Sequence, residues 1–202
     1  MKMAWLLGWA VPVAWFAPLV REHFPHDEHV YFQAGPDAVE RLQAAGPFDR
    51  VIGYSLGAHL LLAAVARGIR FENVALLAPI FAFPREDNLG GKVARTQVRL
   101  LKRWLRQDQP AALADFYSRA GLDASEALTP KNESENLLWG LERLECDRVD
   151  PTIPTGWKAW CGADDALLDA AQLAAIAPEI KIVPQATHHP AVLLRAMAEE
   201  TR

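Results

Sequence analysis

The chain has 202 residues, 51% of them apolar, and a net charge of −4. That length favours one domain with room for a sizeable core, and the mild acidity argues against nucleic acid as a default partner. The two cysteines, Cys146 and Cys161, have neither metal-ligand spacing nor the density of a disulfide framework, so no metal is expected and a reducing compartment fits best.

Taken in order, the first half alternates strand and helix. Strands are expected at 4–7, 29–33, 49–53 and 73–78, and helices at 13–23, 36–45 and 57–67. Such alternation implies right-handed crossovers and a parallel sheet. "VIGY" and "VALLAP" are short apolar runs, as strands buried on both faces should be. The N-terminal "MKMAWLLGWAVPVAWFA" has the outline of a signal peptide, but it reads equally as a strand, a loop and a helix, and Pro12 and Pro18 weaken a spanning helix. Residues 82–150 break the rhythm. They are more charged and read as helices at 91–107, 109–120, 123–128 and 133–146. Alternation returns with strand 157–161, helix 168–177, strand 179–184 and helix 190–200. The expectation is one α/β sheet of about six strands, mainly parallel, built from residues 1–81 and 151–202, with a helical cap over 82–150.

"GYSLG", Gly53 to Gly57, fits G-x-S-x-G, the turn that lifts a serine above a sheet between a strand and a helix. An apolar strand precedes it and the helix-forming "AHLLLAAVA" follows, which is the context the pattern needs. The two glycines leave room where side chains would collide. A serine so placed needs an acid and then a histidine later in the chain. His23, His26 and His29 precede Ser55 and read as surface or loop residues. His59, one helical turn beyond it, reads as a packing or polar contact. "ATHHP" supplies His188 and His189 at the C-terminal end of the last strand, where open α/β sheets place their sites. "CGADDALL" supplies Asp164 and Asp165 after the strand before it. Two backbone N–H groups must face the developing oxyanion: Leu56, next to the serine, and one from the "LLGWA" loop. That use of Gly8 and Trp9 also counts against a cleaved signal, since cleavage would remove a central strand, and it points to a cytoplasmic enzyme.

On these residues the chain resembles the α/β-hydrolase superfamily. More narrowly, "LLGWAVPVAWFAPL", "VIGYSLGAHLLLAAVA", "GLERLECDRVDPTIPTGWKAWCGADDALL" and "PQATHHPAVLL" resemble the pimeloyl-acyl-carrier-protein methyl ester esterases of biotin synthesis. The resemblance implies an α/β-hydrolase fold with a shortened sheet. It places the nucleophile on Ser55, the acid on Asp165, the histidine on His188 and the oxyanion amides on Trp9 and Leu56. It implies a substrate channel lined by Trp9, Tyr54, Phe116 and Tyr117, with no cofactor. The chain departs from the family at Leu7, where a histidine is usual, at Asp169, where a proline is usual, and in lacking two antiparallel strands before the oxyanion loop.

"GKVARTQVRLLKRWLRQ" carries Lys92, Arg95, Arg99, Lys102, Arg103 and Arg106 and no acid. At roughly 100° per residue, all six fall within one arc of about 100°. The face reads either as a solvated cap surface or as a dock for an acidic partner; the resemblance names acyl-carrier protein. A membrane is the weaker alternative. The expected activity is a serine carboxylesterase acting on the methyl ester of pimeloyl-acyl-carrier protein. The rivals are a general short-chain carboxylesterase and an idle hydrolase fold that binds an acidic partner.

Overall fold

A computed structural model describes residues 1–123 and 134–201 of the chain. Six strands form one wholly parallel sheet: β1 (Lys2–Leu6), β2 (Glu28–Phe32), β3 (Arg50–Tyr54), β4 (Val74–Leu77), β5 (Lys158–Gly162) and β6 (Ile180–Val183), in the order β2-β1-β3-β4-β5-β6. β1, β3 and β5 are buried at every position after the first and β4 throughout, so their side chains are apolar on both faces rather than alternating.

Helices α1 (Val13–His23), α2 (Ala38–Ala45), α3 (Leu56–Ala66), α7 (Ala170–Ile176) and α8 (Pro190–Thr201) cover this sheet. α1 packs against α8, and α2 against α3. The strand order reverses at β1, so right-handed crossovers put the first pair on one face and the second on the other. That reversal also leaves a crevice beyond the C-terminal ends of β1 and β3, the place where such sheets bind ligands. The loop after β1 and the turn holding Ser55 meet there.

Between β4 and β5 the chain forms a short 3-10 turn (Arg85–Asp87) and helices α4 (Arg95–Gln107), α5 (Gln109–Ala120) and α6 (Ser134–Cys146). α4 packs on both α5 and α6. Asp108 accepts from the Ala111 amide at 3.1 Å and caps the start of α5. The sequence predicts a helix from residue 91, but 91–94 instead run extended, because Gly91 bridges to Leu168 and the Lys92 amide donates to the Leu167 carbonyl at 2.9 Å. The helix expected at 123–128 lies, beyond Asp123, outside the described residues. His29, expected on the surface or in a loop, is half-buried in β2. Its Nε2 lies 2.8 Å from the Phe24 carbonyl and its Nδ1 accepts from the Trp5 indole at 3.2 Å. Among the described residues no helix is long and apolar enough to cross a membrane.

Candidate active site

Ser55 sits between β3 and α3 with φ 55° and ψ −115°, a backbone region that side-chain-bearing residues rarely enter. The strain is held from both sides: the Ser55 amide donates to Leu77 of β4 at 2.9 Å, and its carbonyl accepts from His59 of α3 at 3.1 Å. Gly57 shows why the second glycine of the pattern is needed. A Cβ there would lie 1.9 Å from the Leu6 carbonyl oxygen and 2.8 Å from that of Leu7. The first turn of α3 therefore lies directly against the end of β1, and the loop after β1 is brought over the serine. The amides of Trp9 in that loop and of Leu56 at the start of α3 have no acceptor among the described residues.

The histidine and the acid come from the other side of the crevice. Asp165 follows β5, and His188 follows β6. Gly162 lets them meet: a Cβ there would stand 2.3 Å from the Ala186 oxygen, so only glycine allows the two loops to run this close. Asp165 is 1% exposed. One of its oxygens accepts from the Leu167 and Leu168 amides at 2.8 and 3.0 Å; the other meets Nδ1 of His188 at 2.8 Å. Burial alone would raise this carboxyl, but the His188 ring and the two amides outweigh it and hold it below the ordinary carboxylate value. An ionised carboxylate only accepts, so His188 Nδ1 carries the proton. Nε2 is then left to accept from the Ser55 hydroxyl, 3.0 Å away. Ser55, His188 and Asp165 thus form one buried hydrogen-bonded chain.

The six-stranded parallel sheet and the helices around it match one architecture in solved structures. The chain has the α/β-hydrolase fold. It aligns over its whole length with an esterase from Exiguobacterium antarcticum, covering 90% of that chain at 12% identity and a TM-score of 0.70. It aligns equally with the esterase RhEst1 from Rhodococcus sp. ECU1013, covering 89% of that chain at 16% identity and a TM-score of 0.67. It is also similar to the RedJ thioesterase of the prodiginine pathway in Streptomyces coelicolor, at 15% identity and a TM-score of 0.56, over 98% of this chain and 85% of that one. No protein-family model and no curated protein matches the sequence.

The remaining candidate residues of this hydrolase fold occupy places the sequence did not show. Tyr54 is 1% exposed and does not face an open channel: its hydroxyl donates to the His188 main-chain carbonyl at 2.7 Å, and burial pushes its phenol well above the ordinary value. Tyr117 is also buried, with its hydroxyl on the Ala10 carbonyl of the loop after β1. Trp9 donates its indole N–H to the Leu137 carbonyl of α6 at 2.8 Å and stands edge-on to Phe116 of α5, ring centroids 4.6 Å apart. Three contacts therefore tie the loop after β1 to α5 and α6. His59 is buried against the Ile80 carbonyl at 2.9 Å, and desolvation lowers its pKa. His189 reaches Asp123 at 3.2 Å, beside Trp15. Asp164 is exposed and takes no part.

The basic arc of α4 is not an unpaired face. Arg95 forms an ion pair with Asp87 at 2.6 Å and also reaches the Glu145 carbonyl; Arg99 and Lys102 grip the Glu145 carboxylate at 2.6 and 2.9 Å. Those cations hold α4 to the 3-10 turn and to α6. Arg103 and Arg106 are exposed and form no ion pair among the described residues. Lys92 had no assigned contact in the sequence reading. Its ammonium donates to the main-chain carbonyl of Asp165 at 2.7 Å and steadies the acid loop. No sequence signal marks this bond, because its acceptor is a backbone atom 73 residues away.

Proposed function

We propose that this protein is a serine carboxylesterase. The observation that carries the proposal is the hydrogen-bonded chain from Asp165 through His188 to Ser55, beside two amides with no acceptor. His188 takes the proton of Ser55 as Oγ attacks the ester carbonyl, and the oxygen that gains the charge turns to the Trp9 and Leu56 N–H groups. The alcohol leaves with the proton from His188. A water, losing its proton to the same ring, then attacks the acyl-enzyme, frees the acid and restores Ser55. Asp165 is a positioning residue: it fixes the tautomer and steadies the imidazolium.

Within that class, the sequence resemblance supports the methyl ester of pimeloyl-acyl-carrier protein as substrate. Arg103 and Arg106 give an acidic carrier two unneutralised cations to meet, while Arg95, Arg99 and Lys102 serve chiefly to hold α4 in place. The test compares kcat/KM for the carrier-bound methyl ester and a free short-chain ester, alongside labelling by a fluorophosphonate. Labelling lost in Ser55→Ala, preference for the carrier-bound ester and a selective loss of that preference in Arg106→Glu are expected. Equal rates on both esters reduce the reading to a general carboxylesterase. Absence of labelling and of turnover removes the esterase itself and leaves an idle fold.

A further inference from the structure

A groove of about 620 Å³ opens between α4, α5, α6 and the acid loop, with Phe116 in its lining. Its floor is apolar: Val98, Leu101, Phe116, Leu141, Leu144 and Leu167. Neither Ser55 nor His188 lines it. Its volume lies in the range of sites that bury a small ligand. At its lip Leu100 is 61% and Trp104 36% exposed, and apart from Met1 these are the large hydrophobic side chains left most open to water among the described residues.

The charge at the groove has the opposite sign to that of the chain. Arg85, Lys92, Arg103 and Arg119 line it, against one carboxylate, Asp115. Asp115 is already matched by Arg119 at 2.8 Å. Arg85 stands 4.0 Å from Glu86, its neighbour in the chain. Arg103 forms no ion pair among the described residues, and Lys92 faces a neutral main-chain carbonyl. An apolar trough is thus lined by a guanidinium, Arg103, and an ammonium, Lys92, that form no ion pair with a carboxylate among the described residues, in a protein whose net charge is −4. A planar guanidinium receives a carboxylate through paired N–H donors.

From this juxtaposition we infer that the groove binds a free medium-chain carboxylate, its chain on Val98, Leu101 and Leu144 and its head at Arg103. The inference goes beyond the esterase reading and stands whether or not Ser55 is a nucleophile, so it is tested on binding alone. Decanoate, octanoate and hexanoate are titrated calorimetrically into the full-length Ser55→Ala protein, below the concentrations at which they form micelles. One site per chain is expected. Burial of each methylene is worth about fourfold in Kd, so affinity should fall by roughly tenfold or more for each two carbons removed. Decyltrimethylammonium, with the same chain and the opposite head, should bind at least tenfold more weakly than decanoate. Arg103→Glu and Leu100→Asp both alter exposed side chains, so folding is spared, and each should weaken decanoate at least fivefold. No saturable heat, a stoichiometry well above one, equal binding of the cationic amphiphile, or unchanged affinity in Arg103→Glu would each overturn the inference. Fluorophosphonate labelling of the wild-type chain is read separately, so failure of the groove and failure of the esterase reading are distinguishable.

Discussion

Tyr54→Phe tests whether the serine turn also positions the histidine. The substitution removes one oxygen and keeps the ring, which packs against Phe16 and His188 with centroids 5.5 and 5.6 Å away. What is lost is the 2.7 Å bond to the His188 carbonyl, leaving that buried acceptor without its donor. Such an orphaned group costs about 1–3 kcal/mol. For a chain of this size each kcal/mol lowers Tm by about 2–4 °C, so the variant should melt between about 2 and 12 °C lower. The same bond holds the backbone that aims Nε2 at Ser55 across 3.0 Å. A loss of about tenfold in kcat corresponds to 1.4 kcal/mol of misplacement, with KM for a short ester little changed. Scanning calorimetry reads the first effect; ester kinetics and the rate of fluorophosphonate labelling read the second. A variant that melts lower yet labels at the wild-type rate would show that the bond supports the fold alone. One unchanged in both would refute the reasoning entirely.

Three further outcomes follow from the geometry. Gly57→Ala should abolish soluble expression or lower Tm by more than 10 °C (about 3 kcal/mol or more), because its Cβ would fall 1.9 Å from the Leu6 oxygen; Gly68→Ala is the contrast, with nothing within 4 Å and only the strain of φ +87°. Asp165→Asn should lower kcat by about 10⁴, since the amide no longer enforces Nδ1–H on His188. It should also change the acid limb of stability: the depressed carboxyl contributes fully above its ordinary value of 3.8 and loses that contribution as the pH falls through its lower folded value, so the Tm gap between wild type and variant should narrow below about pH 3.8. Lys92→Met should lower kcat on a short ester several-fold with KM unchanged, because it frees the Asp165 carbonyl; an unchanged kcat would refute that role.

What the sequence shows and what it hides divide along a physical line. The alternation of strand and helix in the first half, the serine turn and the two loops that carry an acid and a histidine were legible because each depends on an apolar run, a glycine at a close approach or a short polar loop after a strand, whereas the choice of Asp165 over Asp164 and of His188 over His189 came from the family resemblance alone. Gly57 is readable as a glycine needed in place, whereas the need for Gly162 shows only in the fold, where a Cβ would stand 2.3 Å from the Ala186 oxygen. The 91–94 segment was misread as helix because its competing partner, the acid loop, is more than seventy residues away, and local propensity cannot register a bridge such as Gly91 to Leu168.

The roles of side chains were hidden for the same reason. A wheel drawn on α4 counts only the charges of α4, so it gives a uniformly positive arc. In the fold, Asp87 arrives from the preceding turn and Glu145 from α6, and they convert three of those cations into struts. Arg103 and Arg106 form no ion pair among the described residues and remain to act outward. Tyr54 makes the complementary point. Standing next to the serine, it looks like pocket lining, but successive strand residues face opposite sides of the sheet. Ser55 leaves the strand at positive φ while Tyr54 stays in it, pointing beneath the crevice toward the backbone of His188. Tyr54 is therefore placed against the backbone of His188 and not in an open channel, and it links two strand ends that the sheet itself keeps apart.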